Sequence, residues 1–170
     1  EYKVMVAALL GRMDPTKPKG TPLCDALMRV WTTVAFEAVA IRDVGAVSEV
    51  YLRRRALDDT AYPGEWHAPG SLYRHGERDR DVANRLEQEF GAPIESFRYV
   101  DKFTNDKQRG TIHSFIFLVE LGGNPRLDDR HQWFPVNNLP AQTVDCHRES
   151  IIPMALTASM ARMFPARIPG

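Results

Sequence analysis

The feature that most restricts what this chain can become is the run over residues 62–91, YPGEWHAPGSLYRHGERDRDVANRLEQEFG. Its first half mixes glycines, prolines and aromatics without a period, which denies it a long helix or strand. Its second half carries Val82, Leu86 and Phe90 at i, i+4 and i+8 with Ala83 beside them, an apolar stripe on an otherwise charged helix over residues 79–90. Gly91 suits the position just past a helix, and Pro93 stops the helix from continuing. A loop feeding such a helix has to lie where another surface buries the stripe. The loop, residues 58–76, is long for a compact domain, a mark of functional segments, and has room for one short strand.

On either side, strand pairs alternate with single helices. Residues 3–13 read as a helix closed by the cluster Pro15, Pro18, Gly20 and Pro22, and residues 23–31 as a second short helix. Residues 32–42, dense in Val, Ile, Thr and Phe, read as a buried strand that turns at 43–45 into a partner over 49–55. Residues 96–103 and 111–121 read as an antiparallel pair around a turn at 105–110, residues 133–136 as a short strand, and 148–163 as a closing helix. This order predicts the α/β class, with a mixed β-sheet between helices. At 170 residues, about 70% of the accessible surface can be buried in one core. One domain is therefore expected over residues 32–170, behind an N-terminal helical segment, 1–31.

Twenty-two basic residues balance 22 acidic ones, so the excess of cations that nonspecific nucleic-acid binding needs is absent. A few local arginines can still hold a small anion. The longest apolar stretch, residues 4–10, is far short of the ~20 needed to cross a bilayer, so no membrane partner is expected. Cys24 and Cys146 fit no zinc or redox spacing and read as free thiols of a reducing, cytoplasmic compartment, with a single disulfide as the alternative. Glu1 in first place is compatible with removal of a leader.

The run over residues 62–91 resembles the Nudix hydrolase signature: a glycine loop, a glutamate, then a helix carrying Arg-Glu, an aliphatic residue, Glu-Glu and a closing glycine. The similarity covers roughly residues 32–156. Val50-Tyr51-Leu52-Arg53-Arg54-Arg55 resembles the family's strand entering the loop, and residues 132–140, QWFPVNNLP, its tryptophan strand and Leu-Pro turn. The resemblance implies a Nudix-type α/β/α sandwich. It also implies Mg²⁺- or Mn²⁺-dependent hydrolysis of a nucleoside-diphosphate-linked phosphoanhydride, because divalent cations draw charge from the bridging phosphates. Hard cations require oxygen ligands, which such a helix presents as glutamates one turn apart.

Matched residue by residue, Gly70 takes the first loop glycine, Ser71 the second, and Glu77 the loop glutamate. The spacing to the helix is one residue short, so the helix is aligned from its end. Gly91, Glu89 and Leu86 then match, while Asn84 stands for the family arginine, Arg85 for the catalytic glutamate and Gln88 for the first glutamate of the pair. The resemblance thus leaves Glu89 and Glu77 as catalytic candidates. The Gly70 carbonyl, Glu89 and Glu77 remain as metal ligands, with Asp81 and Asp128 as further carboxylates.

At about 100° per residue, Glu89, Arg85, Asp81 and Gln88 share the helix face beside the apolar stripe. Arg85 lies one turn from both Asp81 and Glu89 and can pair with each. A unit charge ~6 Å from a dication, at an effective dielectric of about 20, is worth on the order of 5 kcal/mol before screening. Metal binding is therefore expected to be weak or absent, and hydrolysis weak. The alternative is a catalytically inactive Nudix-fold module that binds a nucleotide-like ligand or a protein partner, with a homodimer among the options. Arg53, Arg55 and Arg85 are the candidate anion-binding groups, and Trp66 and Tyr73 the candidate stacking groups. His113, His131 and His147 lack metal-ligand spacing and are read as ordinary, and Ser71, Ser114 and Cys146 lack a nucleophile's context.

Overall fold

A computed structural model describes residues 2–17, 21–107 and 110–163. Helices α1 (Tyr2–Leu10) and α2 (Thr21–Met28) come first, then strands β1 (Thr33–Val44), β2 (Val47–Arg54), β3 (Trp66–His67) and β4 (Gly70–Leu72). Helix α3 (Asp79–Phe90) precedes β5 (Ile94–Lys107), β6 (Gly110–Leu121) and β7 (His131–Pro135), and a π-helical turn (His147–Ile151) leads into α4 (Ile152–Met163). Of the expected proline cluster, Pro18 and Gly20 lie outside the described residues, and Pro22 falls inside α2. Of the expected 105–110 turn, residues 108–109 lie outside them and the rest belongs to β5 and β6.

Strand β1 sits in the middle of the sheet because its central residues, Glu37 apart, are apolar on both faces. It pairs in parallel with β6 along eight residues, and antiparallel with β2 and β4. Strand β5 closes one side on β6, while β3 and β7 both pair with β2, giving a mixed seven-stranded sheet. Gly45, at φ 63, makes the tight turn between β1 and β2, a conformation that L side chains rarely adopt.

The alternation of β1 splits the core in two. Phe36, Ala38 and Ala40 join Tyr51, Phe117 and Val119 beneath Val82, Ala83, Leu86 and Phe90 of α3. Val39 faces the other way, with Val50, Leu52, Ile116 and Leu118 beneath Ile152 and Ala155 of α4. Each large apolar side chain buried this way contributes roughly 1.5–3 kcal/mol, which fixes α3 on one face and α4 on the other. Gly91 ends α3 at φ 68 and returns its N–H to the Glu87 carbonyl at 2.8 Å.

The N-terminal segment divides. Met28 of α2 is buried, whereas no residue of α1 is, and Tyr2, Val4, Met5 and Leu9 are exposed. Among the described residues no helix is long and apolar enough to cross a membrane.

Candidate functional site

The loop between β2 and α3 brings three arginine–carboxylate pairs to one region. Strand β2 points Arg53 one way and Arg54 the other, and Arg54 Nε donates to the Gly64 carbonyl at 2.9 Å. Arg53 Nη1 lies 2.7 Å from Glu89 Oε2 on α3. Its approach is out of line, so Glu89 Oε2 is buried without a hydrogen bond. Arg55 Nη2 meets Asp59 Oδ2 at 2.6 Å and leaves its own Nε buried without a partner.

Arg85 is the most fully engaged cation. Its Nε and Nη2 donate to Glu77 Oε1 and Oε2 at 2.7 and 2.8 Å, a bidentate fork. Nη1 donates to Ser71 Oγ at 2.8 Å and Nη2 also to the Leu72 carbonyl at 3.1 Å. Glu77 Oε2 accepts in addition from the Arg74 N–H at 2.8 Å. The Arg85 hydrogen bond lowers the Glu77 pKa, against the effect of burial. Among the described pairs, Arg85 reaches across to the loop glutamate rather than along its own helix to Asp81 or Glu89. Its side chain is long enough to cross to the loop, where a planar fork meets a carboxylate, a hydroxyl and a carbonyl at once. No non-glycine residue in the described chain has positive φ, so Ser71 replaces a glycine there without backbone strain.

The other expected site residues are dispersed. Asp81 is exposed and accepts the Arg78 N–H at the start of α3, at 2.8 Å. Asp128 lies 2.7 Å from His131 Nδ1, and that hydrogen bond lowers its pKa. Trp66 is instead buried in the α4-side core, edge-on to Phe134 with ring centroids 4.8 Å apart. Tyr73 packs on Phe36 and donates its hydroxyl to Asp79 at 2.7 Å. Gln88 and Asn84 are exposed.

Beside these pairs opens a cavity of about 660 Å³, lined by Arg55, Gly70, Tyr73 and Arg74 and by Met28 and Cys24 of α2. Its wall contains four groups outside the expected site residues, Glu37, Ser114, His67 and His147, each at least nine-tenths buried. Burial raises the Glu37 pKa to about 7, against the hydrogen bond from Ser114 and the charge of Arg55. Burial lowers the His147 pKa to about 3 and also lowers that of His67, so both rings are neutral at pH 7. The Ala68 N–H points at His147 Nδ1 from 3.3 Å, which places that ring's proton on Nε2. One sequence signal was available: Glu37 interrupts the apolar run VAFEAVAI, at odds with a buried strand. Cys24 and Cys146 both line the cavity and are not joined in a disulfide.

A mixed sheet flanked by helices, with a glycine loop running into α3 beside an open cavity, defines an α/β/α sandwich built around a loop–helix site. The NUDIX domain matches over residues 31–153, and the chain belongs to the Nudix family. No curated protein sequence matches it. Among solved structures it is similar to a MutT NUDIX hydrolase from Burkholderia pseudomallei, at 22% identity over 72% of this chain and 97% of that one, TM-score 0.57. The NUDIX domain of NrtR from Shewanella oneidensis, crystallised with ADP ribose, is 15% identical over 92% and 97% of the two chains, TM-score 0.60. The NrtR structure complexed with a 27mer DNA is 14% identical over 76% of this chain and 63% of that one, TM-score 0.59.

The family's divalent cation is not matched by the donors as arranged. Both oxygens of Glu77 are taken by Arg85, Glu89 faces Arg53, and among the described residues no three His, Cys, Asp or Glu side chains converge on one point.

Proposed function

We propose that this chain is a Nudix-fold module that binds a nucleotide-like ligand, a nucleoside diphosphate joined to another group, with little or no phosphoanhydride hydrolysis. The observation that carries the reading is the Arg85 fork on Glu77, which puts a guanidinium where the family's metal-ligating helix face needs anionic oxygens. Arg53 also faces Glu89, through a single charge contact at 2.7 Å without a hydrogen bond. The ligand class is supported by the cavity, whose apolar walls and buried polar groups suit a ring and whose arginines suit an anion. The ADP ribose bound by the NrtR NUDIX domain is a compound of this class and serves as the probe.

A second reading, weak hydrolysis with Glu89 and Glu77 as base or ligands and Gly70, Asp81 and Asp128 assisting, has one observation in its favour. Glu89 Oε2 is buried without a hydrogen bond and so retains a free lone pair. Calorimetric titration of ADP-ribose in EDTA, with an assay of its hydrolysis in Mg²⁺ or Mn²⁺, separates the two. Binding in EDTA without turnover supports the module; binding only with metal, and turnover, supports the hydrolase.

A further inference from the structure

Strand β1 is apolar through its centre except at Glu37, which is 9% exposed. Ser114 Oγ on the adjacent β6 donates to Glu37 Oε1 at 3.0 Å. No hydrogen bond among the described residues reaches Glu37 Oε2. That oxygen lies over Gly70 of β4, where an added Cβ would sit 2.2 Å from it, so the bare glycine leaves it room on the cavity wall. Glu37 Oε2 is not one of the described atoms sealed away without a partner, so it opens onto the cavity, and a carboxylate in an otherwise apolar strand costs more than the apolar side chain that would fill the same place. A partner for Oε2 has to enter through the cavity.

We infer that Glu37 Oε2 is the specificity-determining acceptor of the cavity and takes a hydrogen bond from an exocyclic amino group on the ligand's heterocycle. The inference rests on the ligand class proposed above and adds which rings the cavity prefers. A carboxylate only accepts, so it selects a donor on the ring edge. Met28, Leu72, Ile112 and Val144 supply apolar walls for a flat ring, and His147, with its proton on Nε2, also lines the cavity. Arg55, although paired with Asp59, and Arg74 line the same cavity and supply positive charge for the phosphates.

The test is calorimetric titration at pH 8 in EDTA with ADP and with purine riboside diphosphate, which lacks only the 6-amino group. The unmodified protein is expected to bind ADP about tenfold more tightly than the analogue, as for a buried acceptor left unpaired. Glu37→Leu should bind both equally, and Glu37→Gln, which keeps an acceptor oxygen, should retain most of the preference. Equal binding of both nucleotides by the unmodified protein overturns the Glu37 assignment and leaves the ligand class standing. A preference that survives in Glu37→Leu also overturns it. Binding of neither nucleotide to the unmodified protein removes the ligand class and the inference together.

Discussion

Two residues carry the proposed chemistry, and the sequence displays them unequally. Arg85 is visible as a cation on a helix face where the family has an acid, but its partner is not, because a partner across a loop depends on loop geometry that spacing along a helix does not encode. Replacing Arg85 and Gln88 by Glu adds two carboxylates beside Glu89 and removes the cation holding Glu77. Mg²⁺ affinity should rise at least tenfold by calorimetry, and no change would mean that the charge on this face is not what limits the cation. Glu37 is legible only as a break in an apolar run, since its depth comes from strands distant in sequence. An unfolded carboxyl titrates near 4.5 and the folded Glu37 near 7. Across that interval the unfolded state gives up its proton first, so stability falls by up to about 3 kcal/mol as pH rises and stays lowered above pH 7. Glu37→Gln has no such proton to lose. Its melting temperature should gain on the unmodified protein between pH 5 and pH 8, and a constant difference would contradict the burial of an ionisable Glu37.

Among the elements, α3 is the one the sequence defines most completely, with an apolar stripe, a closing glycine and observed bounds that match the expected residues 79–90. Its contribution is measurable: Leu86, 1% exposed, should cost roughly 2–5 kcal/mol on substitution by Ala, read from urea unfolding. Strands β3 and β4 are less legible. At two and three residues each they have no pattern of their own, and their pairing is imposed by β2 and β1. Where one short strand is expected in the loop, two are found. The β5–β6 ladder runs longer than its sequence pattern, from Ile94 paired with Leu121 to Lys107 paired with Gly110, and carries two register shifts. Such pairing depends on the facing strand and leaves little trace in hydropathy. At the β1–β4 contact, Gly70→Ala should unfold the protein more easily by driving a methyl into Glu37 Oε2. Glu37→Ala in the same chain should return most of that loss, and additive losses would rule out the contact as the cause.

At the scale of the whole molecule, the alternation of strand pairs and helices is enough to give the sandwich, and two partial cores confirm which helix lies on which face. The N-terminal segment does not behave as one unit. Helix α2 borders the cavity through Cys24 and Met28, while α1 contributes nothing to the core. Removal of residues 2–10 should therefore leave the melting temperature of the domain unchanged, and a drop of several degrees would show that α1 packs on the sandwich. Light scattering on the same pair of proteins reads whether α1 joins two copies. In the proposed function, arginines hold the carboxylates that would bind a cation, and the fold binds its ligand without turning it over. The measurement that bears on it most directly is titration of the unmodified protein with ADP-ribose in EDTA, followed by product analysis after addition of Mg²⁺. Binding that is the same with and without metal, and ADP-ribose recovered intact, is the predicted result; binding that requires Mg²⁺, with rapid release of AMP, would contradict it.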